Sequence, residues 1–208
     1  QESKSRGISS LADIWDEKGV YLVVHDESCS RKSNLFEARL VYDIMAARGV
    51  EEHEVPPATV SVITPHRAQR GLLRTVLERD FRYHLKLIDT VERLQGGECE
   101  TIMVSGTQSD AGAITGSADF ILDLNRTNVI FSRARERLIV VCSRSLLDSI
   151  PADIDDYASS YLWKHLRSVC DTVVLKVPGY EHEVEIRVPG RFWGHLDRSG
   201  RGEDPQET

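Results

Sequence analysis

The chain has 208 residues, 40% of them apolar, enough for one ordinary domain plus a small extra element. Charged residues make up 28% and the formal net charge is −7, which excludes a wholly basic nucleic-acid binder but leaves room for a local basic face. No apolar run approaches the roughly 18 residues needed to span a bilayer. The four cysteines, at 29, 99, 142 and 170, have no zinc-ligand spacing, and a chain of this length needs no disulfide framework. Free thiols in a reducing, cytoplasmic setting, no membrane and no metal site are the expectations. Residue 1 is Gln with no leader-like run behind it, so a chain cut from something longer is expected.

Residues 1–19 are polar and mixed and read as a lead-in. Val20–His25 is a short apolar run suited to a buried strand. Asn34 stands three residues before Glu37, the spacing of a capping box with Asn as the cap. Phe36, Leu40, Val41, Ile44 and Met45 then recur at helical spacing, and Gly49 occupies the left-handed position past a helix end. Thr59–Thr64 is a second strand, stopped by Pro65, and a helix over 66–79 turns Leu72, Leu73, Val76 and Leu77 inward. Leu85–Asp89 and Thr101–Ser105 are two more strands. Residues 106–119, rich in Gly, Ala, Ser and Thr, read as a long flexible loop. A helix over 124–136 and a fifth strand, Leu138–Cys142, follow. Apolar strands alternating with helices predict an α/β fold, a parallel sheet covered on both faces, over 20–150. Beyond Pro151 a helix through Tyr157, Tyr161, Leu162 and Leu166 precedes a hairpin, Thr172–Val177 and Glu183–Val188, so 151–196 reads as an appendage and 197–208 as a disordered tail.

Charge is uneven. Residues 63–93 hold seven Arg or Lys against four acids, a net of +3, and 126–144 hold five Arg against Glu136, a net of +4. Residues 150–208 carry eleven acids against seven bases, a net of −4.

Three segments join a strand end to polar residues. Ligands of open parallel sheets bind outside the carboxyl ends of strands, so the three should share one edge. The first, Ile63–Gln69, taken alone also describes a helix opened by Pro65 with Arg67 in solvent. The second, Ile88–Glu98, sets Gly96 and Gly97 between Gln95 and Glu98, letting backbone approach a ligand beside a carboxylate. The third, Asn125–Arg135, places Arg126 and Arg133 two helical turns apart, on one face.

In this order the three resemble motifs IV, V and VI of the second RecA-like motor domain of superfamily 1B helicases, the branch of senataxin and the nonsense-mediated-decay helicase. ITPHRAQ is similar to I-T-P-Y-x-x-Q, DTVERLQGGE to D-T-V-D-x-F-Q-G-x-E, and NRTNVIFSRARERLIVV to R-x-N-V-A-x-T-R-A-R with its following strand. The match covers residues 20–146. His66 replaces the usual aromatic, Asn125 one of two common arginines, and Ile130 and Ser132 replace Ala and Thr.

The resemblance implies a RecA-like, P-loop-NTPase-type fold with a small helix-and-hairpin appendage, and a part in an ATP-dependent 5′-to-3′ helicase. Arg133 matches the arginine finger on the transferring phosphoryl group, a role worth roughly 10³–10⁵ in rate. Glu98 matches the ribose-holding carboxylate, with Gly96 and Gly97 beside it. Thr64, Pro65, Arg67, Thr90 and Gln95 match positions along bound single-stranded nucleic acid, and Arg126, Asn128 and Arg135 match supporting positions. No G-x-x-x-x-G-K-[ST] loop and no acid pair after a strand occur here, so ATP and Mg²⁺ are expected to rest mainly on a first RecA-like domain of the same polypeptide. This chain alone is then expected to be inactive and to bind single strands in a salt-sensitive way. The bacterial look of the resemblance favours DNA over RNA. The rival reading is a non-motor module binding nucleic acid or protein. A nuclease is the poorer third, since the only E-x-K lies at Glu2-Ser3-Lys4.

Overall fold

The computed structural model describes residues 8–49, 58–90, 98–116, 133–149 and 161–190. In chain order these hold β1 (Gly19–His25), α1 (Leu35–Ala46), β2 (Val60–Thr64), α2 (Arg67–Phe81), β3 (Leu85–Thr90), β4 (Cys99–Ser105), α3 (Ala111–Gly116), β5 (Ala134–Ser143), α4 (Arg144–Asp148), α5 (Tyr161–Val169), β6 (Thr172–Val177) and β7 (Val184–Val188). The strands form one sheet in the order β3-β2-β4-β5-β1-β7-β6. The first five pair in parallel, and β7 and β6 are added by antiparallel pairing. This is the α/β fold that the alternation of apolar runs predicts, in the RecA-like arrangement that the resemblance implies.

Side chains alternate across each strand, so one sheet makes two cores. Tyr21, Val23, Val62, Met103, Ile139 and Val141 face α1 and α2, joining Leu40, Ile44, Leu73 and Leu77. Leu22, Val24, Ile63, Ile102, Leu138 and Val140 face the other way, against Ile114, Leu146, Trp163 and Leu166. Burial on both faces is why these strands read as unbroken apolar runs.

Three local expectations change. Residues 134–136 belong to β5, not to a helix: Cys99 of β4 pairs with Ala134 there, and Arg137 lies between Thr101 of β4 and Gly19 of β1. Pairing with neighbouring strands outweighs the helical preference of Ala, Arg and Glu. The rest of the 124–136 helix lies outside the described residues. The expected loop at 106–119 holds helix α3, whose start is fixed by Asp110 Oδ1 accepting from the Ala113 amide at 2.8 Å, with Ile114 buried below. Part of the lead-in is docked, Ile14 being fully buried and Trp15 Nε1 donating to the Ile44 carbonyl at 2.8 Å.

The C-terminal hairpin continues the main sheet. β7 pairs antiparallel with β1, Ile186 is fully buried in the first core, and Gly179 turns the hairpin at φ 91. Ile186→Ala should therefore lower global stability by about 2–5 kcal/mol, read as a shift of the single urea transition. A hairpin folding separately would leave the main transition unmoved.

Candidate functional site

The connection leaving β2 leads to β3 on one side, and the connection leaving β4 leads to β5 on the other. The loops of these adjacent strands therefore part, opening the crevice where α/β sheets bind ligands. Thr64 ends β2 and Ser105 ends β4, and a buried polar network fills the space between them.

Glu37 is its centre. The side chain is fully buried, one carboxylate oxygen 3.0 Å from His25 Nε2. The other accepts from Ser105 Oγ at 2.6 Å and from the Thr107 amide at 2.7 Å. With the carboxylate as its partner Nε2 donates, and Nδ1 is buried without a partner among the described residues. Only half of the expected capping box forms. Asn34 Oδ1 accepts from the Glu37 amide at 2.8 Å, but the Asn34 amide donates to Gln69 Oε1 at 2.7 Å, because the Glu37 side chain is drawn into the sheet. Gln69 Nε2 in turn donates to the Asn34 carbonyl and to Ser105 Oγ, both at 3.0 Å.

Glu27 forms a second node, accepting from Asn34 Nδ2 at 2.8 Å and Ser109 Oγ at 2.6 Å. Burial alone would raise its carboxyl, but hydrogen bonds from Ser109, the Cys29 amide and Ser30 hold it below the ordinary carboxylate value. Together the two carboxylates hold residues 105–109 in an unusual path. Thr107 adopts φ 72, uncommon for a β-branched residue, and a Cβ on Gly106 would lie 3.0 Å from both Cys142 Cβ and Leu146 Cδ2.

Of the residues expected along nucleic acid, Thr64, Pro65, Arg67 and Thr90 lie at this carboxyl edge. Thr64 and Thr90 are register partners. Thr64 is fully buried, its hydroxyl 2.8 Å from that of Thr107, so it braces the edge from beneath. Thr90 is also buried, its amide donating to Asp89 Oδ1 at 2.7 Å while Arg70 Nη1 reaches the same oxygen at 3.0 Å. Pro65 is half-buried and Arg67 exposed. His66, half-buried between them, is held below the ordinary imidazole value by burial and then by the Lys32 charge. Gln95, Gly96, Gly97, Arg126 and Asn128 lie outside the described residues.

Of the residues expected at the nucleotide, Glu98 and Arg133 lie at the opposite edge. Glu98 directly precedes β4 and Arg133 directly precedes β5, and the next residues, Cys99 and Ala134, are partners. Arg135 Nε donates to the Glu98 carboxylate. Arg133 is half-buried, and among the described residues no hydrogen bond or ion pair takes up its guanidinium. The three segments therefore do not share one edge. Parallel strands require the chain to return before each new strand, so the second and third segments reach the amino edge, one strand length or about 20 Å from Thr64.

Sequence reasoning missed Glu27, Glu37, Gln69, Ser105 and Thr107 as one cluster, and only the Asn34–Glu37 spacing hinted at it. Glu37→Leu should cost about 3–5 kcal/mol in urea unfolding, since His25 Nε2, the Ser105 hydroxyl and the Thr107 amide all lose their buried acceptor. Glu37→Gln keeps an acceptor and should cost less. Equal, small losses would show that the carboxylate does not organise the loop.

Residues 15–145 match the AAA_12 family, an AAA domain. The chain is 28% identical over 151 residues to the mouse DNA replication ATP-dependent helicase/nuclease DNA2, covering 73% of this chain and 13% of that protein. It is 28% identical over 109 residues to the mouse probable helicase senataxin, covering 52% of this chain and 4% of that protein. It is 29% identical over 139 residues to the uncharacterized ATP-dependent helicase MJ0104 of Methanocaldococcus jannaschii, covering 65% of this chain and 19% of that protein. The chain thus spans less than a fifth of each of these relatives. With the family matched across most of the sheet, and helicases aligned over more than half of the chain, the chain belongs to the AAA_12 family of AAA domains, within the superfamily 1B helicases.

Proposed function

We propose that this chain is the C-terminal motor domain of an ATP-dependent 5′-to-3′ helicase, and that it grips single-stranded nucleic acid while completing the ATP site of a first RecA-like domain. The observation that carries the reading is the separation of the two residue sets, Glu98 and Arg133 at the amino edge and Thr64, Pro65, Arg67 and Thr90 at the carboxyl edge. A motor needs two ligand sites joined by a stiff body, and here β4 connects them. The word DNA in the name of the replication relative supports DNA over RNA.

ATP and Mg²⁺ would be held mainly by the first domain. This chain's share would be the far side of the nucleotide, through Glu98 and Arg133. ATP supplies the phosphoryl group whose transfer to water drives the cycle. Arg133, permanently charged and with its guanidinium not taken up by the described residues, would face the γ-phosphate across the domain boundary. Glu98 would hold the ribose, exchanging its Arg135 partner for the sugar hydroxyls. Thr64 and Thr90 would hold the backbone of the carboxyl edge in place beneath the strand, with Arg67 supplying charge. A chain that provides one wall of the nucleotide site would not turn over ATP by itself.

The test is Arg133→Ala in the longer protein carrying both motor domains. Nucleotide affinity should stay within a few-fold, while turnover should fall about 10³-fold or more, because the arginine's hold on the phosphoryl group strengthens in the transition state. Folding should be unaffected. Unchanged turnover would remove the arginine-finger role and favour a non-motor binding module.

A further inference from the structure

We propose that the groove between α2 and β3 continues the single-strand path beyond the carboxyl edge, an inference that rests on reading that edge as the track. β3 ends the sheet, and α2 lies along it. Arg70 reaches Asp89, and Arg74 Nε and Nη2 both donate to the Ile88 carbonyl, at 3.3 and 3.0 Å, which fixes the β3-facing side of the helix. Arg82 caps the far end of α2 and closes the same groove. Arg74, Arg79, Arg82 and Lys86 line a space of about 590 Å³ whose one acidic wall residue among the described residues is Glu78. Glu78 lies 3.7 Å from Arg74, and Arg79 is paired with Asp80 at 2.9 Å, so Arg82 and Lys86 supply the charge that no described acid pairs. On a chain of net charge −7 this is a local positive concavity.

Two features favour nucleic acid over a peptide. Arg74 already occupies the Ile88 carbonyl of β3, the outermost strand on this side among the described residues, which removes one acceptor that an added peptide strand could use. Tyr83 is 66% exposed, and the Arg82 guanidinium carbon lies 5.7 Å from its ring centroid. With the planar cation over one face, the exposed ring offers its other face and edge to a base. The stripe is also continuous with the proposed track. Arg67 stands at the carboxyl edge, and the helix carries basic side chains from there to Arg82 over about 22 Å.

The test uses fluorescence anisotropy with the 208-residue chain and oligothymidylates of about five and about twenty nucleotides. The double variant Arg82→Ala/Tyr83→Ala and the single variant Lys86→Ala should each weaken the long oligomer about five- to ten-fold and lower its salt slope by about 0.7 for each phosphate released from the protein. Both should leave the short oligomer within about two-fold, whereas Arg67→Ala should weaken both lengths. Far variants that change neither affinity nor slope, while Arg67→Ala weakens both oligomers, would overturn the groove and leave the track standing. No binding of either length by the unsubstituted chain would remove the track reading and the groove with it. Binding of a poly-glutamate peptide that disappears in Arg82→Ala/Tyr83→Ala, with oligomer affinity unchanged, would assign the groove to an acidic protein partner instead.

Discussion

A single buried carboxylate sets much of the geometry at the carboxyl edge. Glu37, on the first turn of α1, bonds the end of β1 through His25 and the end of β4 through Ser105 and Thr107. A carboxylate so deeply buried is costly unless its lone pairs are used, and here a histidine, a hydroxyl and an amide share the two oxygens. The arrangement locks three elements together and holds Thr107 at a positive φ. Through the hydrogen bond between the Thr107 and Thr64 hydroxyls it also fixes the end of β2, where the proposed track begins.

The same constraint explains why the chain reads as it does around residue 107. A serine- and threonine-rich stretch resembles a solvated loop when only composition is considered. In the fold those hydroxyls are internal partners: Ser105 and Ser109 donate to the two carboxylates, and Ser143 Oγ donates to the Gln108 carbonyl. Polar composition here marks a satisfied interior.

What was legible followed from local periodicity. The five parallel strands, α1 with its Asn34 cap and Gly49 at φ 62 beyond its end, and the hairpin all announce themselves through apolar spacing and turn residues. The amino-edge position of Glu98 and Arg133 was not legible, because it depends on which way each segment returns across the sheet. Nor was the junction of β7 with β1, since antiparallel docking on a parallel sheet is decided by which edge remains open. Residues 134–136 looked helical because Ala, Arg and Glu favour helices, and the pairing of Ala134 with Cys99 of β4, followed by that of Arg137 with β4 and β1, overrides that preference. The carboxylate network ties Glu37 to Thr107, 70 positions away, and Glu27 to Ser109, 82 positions away, and no local pattern reports such pairings.

The proposed function places ATP at the amino edge of the sheet and nucleic acid at the carboxyl edge. Hydrogen–deuterium exchange of this chain, with and without a single-stranded oligonucleotide, discriminates between the edges. Exchange should slow in 66–67 and 106–110 on binding, with 99–101 and 134–136 unchanged. Protection confined to 99–101 and 134–136 would instead place the nucleic acid at the amino edge and reverse the assignment.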